Sequence, residues 1–126
     1  MNYLEKAQDL SMKIGTGQIM DAFEQYYAEN CKIIEADGTI RNGKDEQREA
    51  IKQWQTQMVK EVHDGGVNSI TSNEDSGQTC IESWMDITFQ DGNRMKFEEV
   101  AVQNWVDGQI VQERFYYNPG PGAQQG

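Results

Sequence analysis

The sequence predicts an α+β domain, in which a cone-shaped, curved and mostly antiparallel sheet packs on three helices from the N-terminal half. Three observations carry that prediction. Apolar residues recur at helical spacing in the first half of the chain, whereas strict alternation takes over from Thr79 to Tyr117. Asp91-Gly92 and Asp107-Gly108 then cut that stretch into three long strands. Helices segregated to one face of an antiparallel sheet are the stable way to bury both kinds of stripe.

Taken in order, residues 3–14 place Tyr3, Ala7, Leu10 and Ile14 on one helical face, and Gly15-Thr16-Gly17 ends it. A second helix over 17–29 buries Ile19, Met20, Phe23 and one of Tyr26 and Tyr27. A short strand follows from Cys31 to Glu35, then an extended piece, Thr39–Arg41. The third helix is predicted from about Lys44 to Val62, with Asp45 and Glu46 at the positive end of its dipole and Ile51, Trp54, Met58 and Val62 as its stripe. Asp64-Gly65-Gly66 stops it, Val67–Ser72 is a strand, and 73–77 turns into the meander. The domain occupies 1–118. The Pro/Gly-rich 119–126 has nothing to bury and is predicted to be a disordered tail.

The register of the meander decides which residues share a face. An Asp-Gly closes a two-residue type I′ turn or ends a three-residue loop with a left-handed glycine, and the choice shifts every pair by one. With three-residue loops at both turns, Ile87 pairs with Met95, Met85 with Phe97, Ile81 with Ala101, Trp105 with Gln109, Ala101 with Glu113 and Glu99 with Phe115. The face that results is mainly apolar: Ile81, Ser83, Met85, Ile87, Phe89, Met95, Phe97, Glu99, Ala101, Gln103, Trp105, Val111, Glu113, Phe115 and Tyr117. The two-residue alternative sets Ile87 against Lys96. Three-residue loops are therefore expected.

Composition removes several functions. With 21 acidic against 11 basic residues the formal charge is −10, which disfavours nucleic acid or an anionic membrane as partner. No apolar run is long enough to span a bilayer and no leader pattern is seen at Met1, so a cytoplasmic protein is expected. Cys31 and Cys80 fit two free thiols better than a disulfide. His63 is the single histidine, and neither a metal-ligand pattern nor a phosphate-binding glycine loop is present, so no cofactor is expected.

Residues 26–38, Tyr-Tyr-Ala-Glu-Asn-Cys-Lys-Ile-Ile-Glu-Ala-Asp-Gly, with Asn42-Gly43-Lys44-Asp45, resemble the first strand and third-helix entry of SnoaL-like and ketosteroid-isomerase-like proteins. Trp105-Val106-Asp107-Gly108-Gln109-Ile110-Val111, running into Phe115-Tyr116-Tyr117-Asn118, resembles their last hairpin. The resemblance covers roughly 3–118 and implies the nuclear-transport-factor-like fold, a cystatin-like α+β barrel, with dimerisation through the outer sheet face. It also implies what is missing. The steroid isomerases' general base corresponds to Ala36, with Glu35 on the other side of the strand. Their helix tyrosine falls near Ser11, and their protonated aspartate at or next to Ala101. Steroid isomerase chemistry is therefore not expected. The polyketide cyclases' acidic group on the late strands falls in the neighbourhood of Glu113.

From the residues themselves, Glu99 and Glu113 are the candidate acid and base: two glutamates on the core face, in diagonal cross-strand positions, where sharing an apolar cavity raises one pKa. Their alternative role is to solvate a wide cavity mouth. Phe23, Tyr27, Trp54, Met58, Ser83, Phe97, Gln103, Phe115 and Tyr117 are expected to line a ligand cavity, with plain core packing as the competing role for the aromatic members. On the opposite face Trp84, Val100, Val102, Arg114 and Tyr116 combine an apolar centre with a charged rim, the pattern of a homodimer interface. The preferred function is a cavity that binds a small hydrophobic molecule, with carbonyl compounds among the candidates. The alternative is a cofactor-free isomerase, cyclase or dehydratase.

Overall fold

Asn2 starts the first helix by capping: its side chain accepts from the Glu5 backbone N–H at 2.8 Å, and the Glu5 carboxylate accepts from the Asn2 N–H in return. The computed structural model describes residues 1–118, so the predicted tail lies outside the described residues. Helix α1 covers Tyr3–Gly15 and α2 Ile19–Tyr26. Strands β1 (Tyr27–Ile34) and β2 (Ile40–Asn42) precede α3 (Lys44–Gln53), which runs into a π-helical turn, Trp54–Met58. The remainder is strand: β3 (Val59–Asn73), β4 (Gln78–Phe89), β5 (Arg94–Val106) and β6 (Gln109–Tyr117). The six strands form one open, mixed sheet in the order β2-β1-β6-β5-β4-β3. All neighbours are antiparallel except β1 and β6, which are parallel. This is the α+β layout expected. No described helix is long and apolar enough to cross a membrane.

Two helices end earlier than their periodicity suggests, and the sheet is the reason in both cases. The second stops at Tyr26 because Tyr27 already pairs with Ile110 of β6. The third gives way at Trp54, and the predicted helical residue Val62 instead lies in β3, opposite Ile87. β3 pairs with β4 from Val59 to Asn73, and so long a ladder outweighs the weak local preference for helix. Gly65 and Gly66 do not end a helix but sit inside β3. A Cβ on Gly66 would lie 2.7 Å from the Trp84 indole nitrogen, so the glycine lets that ring lie across the strand.

The first turn has the expected three-residue loop. Phe89 N–H donates to Asn93 C=O at 2.8 Å, Gly92 is left-handed at φ +91°, and Ile87–Met95, Met85–Phe97 and Ile81–Ala101 pair as predicted. The second turn does not. Asp107 (φ 51°) and Gly108 (φ 80°) are both left-handed, which makes a two-residue I′ turn with Val106 opposite Gln109 and Trp105 opposite Ile110. A bulge follows: Asn104 pairs with Gln112, leaving Val111 as the extra residue. Hence Ile110, not Val111, enters the core, fully buried, while the bulge returns Glu113, Phe115 and Tyr117 to the inner face.

The core gathers at one end of that face. Ala7 and Leu10 of α1, Ala22, Phe23 and Tyr26 of α2, and Tyr27, Cys31 and Ile33 of β1 pack on Ile81, Trp105 and Ile110. Leu10, Phe23, Ile33 and Ile110 are buried to 2 % exposure or less, and each such side chain contributes about 1.5–3 kcal/mol. Towards the other end Met85, Phe89, Phe97, Glu99 and Tyr117 remain half-buried.

Candidate functional site

Glu113 is 3 % exposed and hydrogen-bonded at both oxygens. The Tyr27 hydroxyl donates to Oε1, and the Gln103 Nε2 donates to Oε2 at 2.8 Å. Gln103 in turn accepts from the Thr79 hydroxyl at 2.7 Å, and Thr79 Oγ1 accepts from the Trp105 indole N–H at 2.8 Å. Burial pushes the Glu113 carboxyl up to about 7, although the Tyr27 and Gln103 bonds favour its charged form. Burial and the Glu113 charge together hold the Tyr27 hydroxyl far above its ordinary range.

Glu99 stands differently. It is half-buried, opposite Ser83 on one side and Tyr117 on the other. Among the described residues no group hydrogen-bonds its carboxyl, and burial, then the charges of Glu113 and Glu35, raise it to about 7. The two glutamates are not the diagonal neighbours expected. Because the second turn is a residue shorter and is followed by a bulge, Glu113 faces Gln103 and Glu99 faces Tyr117, with Ala101 and Phe115 between them.

Aromatic rings form the wall beside Glu99. Phe97 and Tyr117 have centroids 4.9 Å apart, Trp54 lies 6.3 Å from Phe97, and its edge meets Phe89 at 6.0 Å. Tyr117 is fixed by donating its hydroxyl to Glu35 Oε2 at 2.9 Å. Glu35 also takes a bond from Arg41, whose Nε reaches Gln47 at 2.6 Å. Sequence reasoning passed over Glu35, Arg41 and Thr79. The sequence places Glu35 at the end of the strand, on the face away from Ala36, whereas it lies just past β1, where Arg41 and Tyr117 reach its carboxylate. Thr79 carried no signal beyond being a polar residue in line with Gln103.

The other expected lining residues divide. Ser83, Phe97 and Tyr117 flank Glu99, and Gln103 and Tyr27 hold Glu113. Phe23 is core instead, 5.0 Å from Tyr27 with the Lys44 and Arg48 cations over its ring. Phe115 is half-buried against the same core. Met58 is 50 % exposed because it falls in the π-helical turn. There, with Gln57, Phe89, Gln90 and Asp91, it borders an open hollow of about 300 Å³ at the rim, away from both glutamates. Tyr26 and Tyr27 both point inward, since the change from helix to strand between them undoes the helical rotation. The Tyr26 hydroxyl donates to Asp9 at 2.5 Å. His63 sits on β3 with Nε2 2.7 Å from the Thr88 hydroxyl, and no metal-holding cluster occurs among the described residues. On the outer face Trp84 lies beneath Lys96 at 4.8 Å, Val100 and Val102 are half-buried, and Arg114 stacks 5.1 Å over Tyr116.

A sequence profile of the SnoaL-like domain matches residues 4–117. The chain belongs to the SnoaL-like family. Among solved structures, a SnoaL-like polyketide cyclase candidate from Mesorhizobium loti is 30% identical with a TM-score of 0.83, over 93% of this chain and all of that one. An isomerase candidate from Bacillus subtilis is 21% identical with a TM-score of 0.78, over 94% of this chain and 91% of the other. An NTF2-like protein of unknown function from Burkholderia pseudomallei, at 13% identity and a TM-score of 0.78, covers 94% and 92%. The last two show the shared fold. A comparison with curated proteins finds no match. Of the positions expected to correspond to steroid isomerase groups, Ala36 is exposed in a turn, Ala101 is buried in the core and Ser11 lies on α1.

Proposed function

We propose that this SnoaL-like protein binds a small, largely apolar carbonyl compound against Trp54, Phe97 and Tyr117, and that Glu99 exchanges a proton with it. One observation carries the reading. Glu99 is a carboxyl raised to about 7, with no hydrogen-bond partner among the described residues, at the end of an aromatic wall. A group balanced near neutral pH can both take and return a proton. Burial first raises Glu99, and Glu113, held by Tyr27 and Gln103, adds its negative charge once ionised and makes Glu99 more basic still. The ionised Glu99 removes a proton from the carbon next to the carbonyl. Ser83, across the strand, offers its hydroxyl to the oxygen on which charge collects. Glu99 then gives the proton back to carbon, at the same position or a conjugated one. That sequence is the common step of isomerases and aldol-type cyclases, and the same wall without turnover would make a plain ligand carrier. The polyketide cyclase candidate, at 30% identity, favours the catalytic form.

The test is exchange of the α-protons of cyclohexanone or an aryl methyl ketone in deuterium oxide, followed by NMR. Protein-dependent exchange that disappears in Glu99→Gln is the expected result. Exchange no faster than in buffer, with the ketone still shifting the Phe97 and Tyr117 resonances, would leave a binding protein without chemistry.

We propose also that two copies pair through the outer face. A half-buried Trp84, Val100 and Val102, rimmed by Lys96 and Arg114, is more apolar than a wetted sheet face needs. Sedimentation should give twice the chain mass for the native protein and a single chain for Val100→Glu. A native protein that sediments as one chain removes the dimer. The two free thiols, Cys31 and Cys80, suit a reducing compartment such as the cytoplasm.

A further inference from the structure

Thr79, Gln103 and Glu113 form a straight polar row. Thr79 is directly opposite Gln103, and Gln103 directly opposite Glu113, so the row crosses β4, β5 and β6. Tyr27 extends it to β1. The exposures of Thr79, Gln103 and Glu113 are 0 %, 1 % and 3 %, so water does not substitute for a missing partner. At its start stands the Trp105 indole, which donates and has no lone pair to accept with.

The bonds after the indole run in one direction. Thr79 Oγ1 accepts from Trp105 and gives its one proton to Gln103 Oε1. With its oxygen so engaged, Gln103 turns its NH₂ to Glu113. Glu113 Oε2 must therefore accept at all times. We propose that Thr79 is a positioning residue which polarises Glu113, so that its proton is taken up and lost at Oε1 alone, the oxygen that faces the Tyr27 hydroxyl. The inference deepens the proposed function in one respect, by saying what holds the Glu113 charge that tunes Glu99. Its evidence and its test do not need turnover.

Other groups face Glu113 as well: Tyr27 and Cys31 on β1, Glu35 beyond it, Arg41 on β2 and Glu99 on β5. None of them bonds to Thr79, whose side-chain partners are Trp105 and Gln103. Replacing Thr79 thus alters the amide's direction without removing a charge.

The experiment is carbon-detected NMR titration of Glu113 in the native protein, Thr79→Val and Thr79→Ser. Valine lets the Gln103 amide turn over and present its oxygen, which favours protonated Glu113. The Glu113 midpoint should rise by about one pH unit in Thr79→Val and return in Thr79→Ser. A folded Thr79→Val whose Glu113 midpoint does not rise overturns the proposal, because packing loss that let water in would lower that midpoint. The native protein provides a second reading should the valine variant not fold. One Gln103 side-chain amide proton should move downfield as Glu113 ionises. Gln103 amide protons that ignore Glu113 show the amide reversed and the proposal wrong. Absence of ketone exchange, by contrast, would remove the catalytic reading and leave the Glu113 titration intact.

Discussion

Raising the pH from 5 to 8 is expected to weaken the fold. The sign follows from Glu99 and Glu113, each raised to about 7 in the folded chain but titrating near 4.3 when unfolded. Between those values the folded protein binds more protons than the unfolded one, so stability falls as pH rises through the window. One such carboxyl costs about 3 kcal/mol by pH 8, a large share of a small domain's stability. Below pH 4 the opposite sign takes over. Asp9, Asp37 and Asp86 are held below their ordinary range, by hydrogen bonds from Tyr26, from the Thr39 backbone and from Arg94 respectively, and lose that support on protonation. Maximal stability is expected between about pH 4 and 5, read as the urea midpoint across pH 3–9. Glu113→Gln should flatten the upper limb and exceed the native protein at pH 8, because its amide can donate to the Tyr27 oxygen and still accept from Gln103. A native midpoint that is level or rising from pH 5 to 8 would falsify the buried-charge account of both glutamates.

Glu99→Gln should abolish ketone exchange while leaving the ketone bound. A glutamine keeps the shape and contacts of the side chain but cannot take a proton, and losing a positioned base costs about 10²–10⁴ in rate. Binding to Trp54, Phe97 and Tyr117 should change little, so the loss falls on turnover and not on affinity. The native rate should climb with pH and level off above about 7, tracking ionised Glu99. Glu113→Gln should move that rise to lower pH, since the charge that holds the Glu99 proton is gone. Parallel losses in affinity and turnover would instead mark Glu99 as a structural contact.

How far these features could be read in the sequence depended on whether local rules or long-range pairing governed them. The first hairpin was legible because the wrong register sets Ile87 against Lys96, a contrast large enough to decide the turn. The second offered no such contrast: Ile110 and Val111 are both apolar β-branched residues, and nothing in their pattern says which one bulges. The inner position of Glu99 and Glu113 followed from alternation and survives the bulge, whereas their separation did not. The third helix misled because Trp54, Met58 and Val62 keep helical spacing while β4, distant in sequence, recruits the chain from Val59 onward. Glu35 and Arg41 meet only because β2 folds back on β1, and periodicity has no purchase on such a turn. Thr79 gained meaning only as the neighbour of Gln103 on the next strand.

The bulge at Val111 makes the last strand a joint between two independent frames. Up to Ile110 it obeys the hairpin and serves the core; from Gln112 it obeys β5 and serves the glutamates. A longer tip therefore leaves Glu113 in place so long as Asn104 keeps its pairing with Gln112. Any residue lost from the bulge itself would instead send Glu113, Phe115 and Tyr117 to the outer face together.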